Sequence, residues 1–161
     1  MLPDVKRILY ASDIESGSRP AFRAAISMAG HYDAQVTFLN VIEPLNSTAR
    51  NLVKTMMSDE MLSEMHDESV NHLKQKLVER IEQFCDQELD ESEKMKEGQV
   101  VPRVEEGSAD KVILEVADEI NADLIVMGTR THSSVGQFFL GSTANRVMTH
   151  TKRPVLIIPL K

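Results

Sequence analysis

Aromatic residues are scarce in this chain of 161 residues: there is no tryptophan, tyrosine occurs twice and phenylalanine five times. A flavin sandwiched between rings has little to bind to here. The stretch Asp13 to Ser18 is also a poor phosphate cradle, so a redox carrier of the flavodoxin type is set aside. The lone cysteine, Cys85, excludes an intramolecular disulfide, and no neighbour stands at metal-ligand spacing, which fits a reducing compartment. The opening residues Met-Leu-Pro-Asp-Val-Lys-Arg lack the basic-then-apolar layout of a secretory leader. No apolar run approaches the roughly 20 residues of a bilayer span. A cytoplasmic protein is expected.

Cations are also in short supply. Eighteen Lys and Arg face 25 Asp and Glu, for a formal net charge of −7. This acidic balance argues against non-specific nucleic-acid binding, which needs clustered cations to displace counterions. What is present is ordinary: 42% hydrophobic and 27% charged residues. A chain of this length buries roughly two-thirds of its unfolded surface in one core without a metal or disulfide. One domain over residues 1–161 is the expectation.

Two kinds of segment alternate. Val5 to Ser12 is short, apolar and β-branched, and reads as a strand running into a turn-rich loop. Arg19 to Tyr32 places Phe22, Ala25, Ile26 and Ala29 on one helical face, with Ser18 as a candidate cap and Pro20 in the first turn. Gln35 to Ile42 is a second strand, stopped by Pro44. After a loop, Ser58 to about Phe84 reads as a long helix whose Val70, Leu73, Leu77, Ile81 and Phe84 face a sheet. The acid-dense stretch Asp86 to Glu97 reads as a solvated helix end and linker. Gln99 to Val104 is a third strand, and Pro102 assigns it to a sheet edge. A helix over Ser108 to Ile120, a strand over Asp123 to Met127, a helix from Gly141 to His150 and a strand over Pro154 to Ile158 complete the order βαβαβαβαβ. Such alternation implies an α/β fold with a parallel sheet and helices on both faces. Ligands in these folds sit beyond the carboxyl ends of the strands, where the strand order reverses.

The chemistry concentrates in Asp123 to Met148, DLIVMGTRTHSSVGQFFLGSTANRVM. Gly128 directly follows a buried-type strand, so the chain is expected to turn there and to let a ligand approach its backbone. Thirteen positions on, Gly141-Ser142-Thr143 opens a helix. Free amides, small hydroxyl side chains and the positive end of the helix dipole together suit an anion, a phosphate chain above all. Arg130, and a divalent ion, would offset the protein's own negative field.

With those residues in view, the chain resembles the universal stress protein family over nearly its whole length. ILYASDIESGSRPAF is similar to that family's first strand and loop, and DLIVMGTR, GSTANRV and PVLIIP are similar to its closing signature. The resemblance implies a five-stranded parallel sheet of order 3-2-1-4-5, Rossmann-like and similar to the adenine nucleotide alpha hydrolases. It also implies a homodimer, formed through the last strand, Pro154 to Ile158. One branch of the family binds ATP through Gly, two residues, Gly, nine residues, Gly and then Ser or Thr. Gly128, Gly141 and Ser142 match that pattern, and nine residues from His132 to Leu140 keep its spacing.

Thr131 replaces the second glycine of the pattern. If the position requires positive φ, a β-branched residue is strained there by about 1–3 kcal/mol. If φ is negative, the amide still faces a phosphate and the hydroxyl adds a donor. By the same resemblance, Asp13 matches the acidic residue that approaches the ribose or the metal of Mg-ATP. Ala11 matches a small residue on the adenine side, and Val41 a source of backbone contacts to adenine. Met127, Thr129, Arg130 and Thr143 match further lining positions. Apart from the resemblance, Asp13 reads as an Asx-turn residue, and Met127 and Val41 read as core.

Other residues carry less. His132 has no second ligand at metal spacing, and His66 and His72 stand about 240° apart on a helix, too far round to share an ion. Met56, Met57, Met61 and Met65 form a pliable stripe suited to packing, on this protein or on a dimer mate, and Ser133-Ser134 reads as a solvated loop pair. Cys85 has no basic neighbour to favour a thiolate, and neither Ser12 nor Ser142 has a recognisable histidine relay. The P-loop lysine pattern and the GxGxxG fingerprint are absent. The leading expectation is an ATP-binding regulatory dimer. The alternative is a stress-response dimer that acts through partner contacts without nucleotide. A slow ATPase, with Asp13 and a metal orienting water, is a third reading.

Overall fold

The computed structural model describes residues 2–12, 18–44, 47–129 and 140–160. Its strands are β1 (Arg7–Ala11), β2 (Gln35–Ile42), β3 (Val100–Glu106), β4 (Leu124–Thr129) and β5 (Val155–Pro159). They form one sheet of order β3-β2-β1-β4-β5, with every neighbouring pair parallel. Between them run α1 (Arg19–Tyr32), α2 (Ser47–Met56), α3 (Asp59–Glu88), α4 (Ala109–Glu119) and α5 (Ser142–His150).

Successive side chains of a strand point to opposite faces, and this period of two sorts the core. Ile8, Tyr10, Val36, Phe38, Leu124 and Val126 meet α1 and the second half of α3 on one face. Leu9, Ala11, Leu39, Ile125 and Met127 meet α4 and α5 on the other. On the first face the rings of Tyr10, Phe22, Phe38 and Phe84 form a chain with centroid separations of 4.4–5.5 Å, the range in which aromatic pairs add to plain burial. More than half of the few aromatic residues are thus spent on one core.

Pro102 stands in β3 opposite Phe38 of β2, and β3 is an edge strand, as a residue without an amide proton requires. Two local expectations need correction. Ser18 stands at the N-cap of α1 but its hydroxyl makes no capping bond; its carbonyl accepts from the buried Tyr10 hydroxyl at 3.3 Å. The segment before α3 is not all loop: Ser47–Met56 forms α2, with no buried residue.

Candidate functional site

The sheet order reverses between β1 and β4: β2 and β3 extend to one side of β1, and β4 and β5 to the other. Crevices at such a point open beyond the carboxyl ends of the strands. Three of the expected site residues meet there. Ala11 pairs with Met127 across β1 and β4, both nearly fully buried on the α4–α5 face. Val41, two residues past Leu39 on β2, is half-buried and packs on the same cluster. Core packing therefore accounts for Met127 and for most of Val41, while the backbone at their strand ends stays at the crevice.

Gly128 differs from expectation. It does not turn the chain; it lies within β4 opposite Ile158 of β5. A Cβ built there would lie 2.5 Å from Leu160 Cδ1 and 2.8 Å from Leu160 Cγ, closer than carbon atoms approach without something moving. The glycine thus makes room for a buried leucine that follows β5. Leu160 also donates its amide to the Thr129 carbonyl at 2.7 Å.

Thr129 joins this strand end to the last helix. It is 4% exposed, and its hydroxyl oxygen accepts the Gly141 amide proton at 3.1 Å. Gly141 is the N-cap of α5, with extended φ −61° and ψ 156° and no side-chain cap. Its carbonyl accepts from Asn145 at 2.9 Å, which closes the first helical bond. The amides of Ser142, Thr143 and Ala144 have no hydrogen-bond partner among the described residues. An exposed Ser142 and a half-buried Thr143 flank them. Unmet amides at the positive end of a helix dipole suit a phosphate or carboxylate oxygen.

Asn40 was not anticipated as part of the site. Its side-chain amide donates to the Ser12 carbonyl at 3.0 Å, and the Ser12 amide donates to the Leu39 carbonyl at 3.1 Å. These bonds hold the start of the loop after β1 against β2. The signal was a polar residue in the apolar run QVTFLNVI, because a buried polar group needs a partner. Asp13, Arg130 and Thr131, like His132, Ser133 and Ser134, lie outside the described residues.

A parallel sheet of order 3-2-1-4-5 between helices on both faces defines a doubly wound α/β protein. The universal stress protein family model matches residues 4–159, and this chain belongs to that family. A putative universal stress protein of Staphylococcus aureus (strain USA300) is 30% identical over 154 residues, covering 95% of this chain and 83% of the relative. Among solved structures, the universal stress protein UspA from Lactobacillus plantarum superposes with a TM-score of 0.62 at 20% identity, covering 96% of this chain and 98% of the other. A universal stress protein in complex with cAMP superposes with a TM-score of 0.63 at 18% identity, covering 97% and 98%. At those identities the two superpositions speak for the fold alone.

Proposed function

We propose that this universal stress protein binds an adenine nucleotide, with Mg-ATP as the working ligand, and acts as a regulatory cytoplasmic homodimer. The carrying observation is the start of α5 beside the β1–β4 switch point, where three successive amides have no acceptor among the described residues. The phosphates would lie on Ser142, Thr143 and Ala144, and the adenine toward the ends of β1 and β2 near Ala11 and Val41. Asp13 would meet the ribose or the magnesium, and Arg130 and Thr131 would complete the phosphate side. A universal stress protein of the same fold is known in complex with cAMP, which supports an adenine nucleotide as the ligand class. Cytoplasmic placement rests on the single cysteine. The nucleotide would act by its different affinity for two arrangements of the loops around it.

A reading without nucleotide has its own observation. Two of the motif glycines already serve the fold: Gly128 accommodates Leu160, and the Gly141 amide is bonded to Thr129. Calorimetry separates the two. Mg-ATP titrated into the folded protein at tens of micromolar should give heat with one site per chain. Ser142→Pro, which removes one of the three amides at a position where helices accept proline, should weaken binding several-fold. Absence of heat with both Mg-ATP and cAMP would leave only the partner-contact reading, and ATP binding gained on Thr131→Gly would support it.

A further inference from the structure

We propose that the groove between α1, the end of α3 and the turn before β3 is a second ligand site, which takes a planar aromatic molecule carrying an anionic group. It stands at the amino ends of β2 and β3, at the opposite edge of the sheet from Gly141, and encloses about 850 Å³. That volume is within the usual range for small-molecule sites.

Its floor is apolar. Ile26, Phe84, Leu89 and Met95 line it, and Phe84 is the last member of the ring chain that runs through Phe22 to Tyr10. A flat ring laid on Phe84 would extend that stack, with the Met95 thioether beside it; both are favourable neighbours for an aromatic edge or face. On α1 the wall is low. Gly30 lines the groove, and a Cβ built there meets nothing within 4 Å.

The rim favours an anion. Arg23 and His31 of α1 and Lys94 and Lys96 of the turn border the groove, together with the carboxylates of Asp33 and Glu93. Both carboxylates are engaged: Asp33 accepts from Lys96 at 3.0 Å, and Glu93 from the Asp90 amide at 2.9 Å. Lys94 pairs with Glu91, which is 89% exposed, and such surface pairs are readily exchanged for another acceptor. The His31 ring donates Nδ1–H to the Ser27 carbonyl at 2.7 Å, which fixes the ring at the rim. Arg23 from α1 and Lys94 and Lys96 from the turn thus put cations on both sides of the groove, in a chain whose net charge is −7.

The test uses two fluorescent probes that differ by a sulfonate. 8-Anilinonaphthalene-1-sulfonate should bind the intact protein at one site per chain, and the neutral N-phenyl-1-naphthylamine at least five-fold more weakly. Gly30→Phe and, independently, Ser27→Phe should each reduce sulfonate binding ten-fold or more, with circular dichroism and melting unchanged or improved. Gly30→Ala should leave it intact. Equal affinity for the two probes, or undiminished binding in both folded phenylalanine variants, would overturn the assignment. Calorimetry with Mg-ATP on the same variants should be unaltered, so the outcome at this groove is read separately from that at the α5 site.

Discussion

Gly128 shows how a motif position serves packing. Its neighbour Leu160 is nearly fully buried and occupies the space where a side chain would start. Gly128→Ala should destabilise the fold by about 1–3 kcal/mol, as overpacking of cores does. Combined with Leu160→Ala, the cost should be clearly less than additive, because the truncated leucine makes room for the new methyl; chemical denaturation of the four proteins measures the coupling. Nothing in DLIVMGTR distinguishes a glycine that turns the chain from one that accommodates a leucine 32 positions away, so the residue was found and its task was not.

Charged residues contribute at the same scale. An Arg103 hydrogen bond, helped by its charge, holds the Glu119 carboxyl below its ordinary value; Lys96 does the same for Asp33, and the Ser108 hydroxyl for Asp110. Carboxylates lowered in the folded state stabilise it at pH values above the ordinary carboxylate range, about pH 4. That contribution disappears as the pH falls through the lowered values. The melting temperature should accordingly drop below about pH 4, and the drop should be smaller in Glu119→Gln. The Glu119 side chain is 63% exposed, so added salt should shrink the difference.

At the scale of elements, α3 is two helices in one. Its 30 residues extend about 45 Å, yet its fully buried positions are Leu77 and Ile81, with Phe84 beside them, all in the second half. The first half is exposed, Met61 and Met65 included. It is tied down by the Ser58 hydroxyl accepting from the Met61 amide at 3.2 Å and by His66 Nε2 at 2.7 Å from Glu106 at the end of β3. Amide exchange should therefore be faster over residues 60–72 than over 76–86, and Ser58→Ala should widen the gap by about 1 kcal/mol or less in local opening energy. The 3-4-4-3 apolar spacing from Val70 to Phe84 made the covered half legible. The ten residues of α2 bury nothing, so no apolar stripe announced them, and the His66–Glu106 pair joins positions 40 apart that only the fold brings together.

For the whole molecule, alternating apolar strands and amphipathic helices were enough to read the α/β class and the edge position of β3, because both follow from local pattern and from proline's missing donor. The full strand order rested on the family resemblance. At the other edge, β5 has one side unpaired among the described residues, with Val155 to Ile158 each only half-buried. Such an edge invites a second strand. Light scattering should report about 36 kDa, twice the 18.1 kDa of one chain, and amide exchange over residues 155–159 should slow as protein concentration rises through the dissociation constant.

The central position of β1 sets a timetable for synthesis. Ile8 pairs with Val36 on one side but with Leu124 on the other, so one flank of the innermost strand waits for residues made 116 positions later. At the roughly 5–20 residues per second of translation, that wait is about 6–23 s. For that interval the nascent chain carries a row of unmatched backbone groups on its innermost strand, and ribosome-associated chaperones have their opening there.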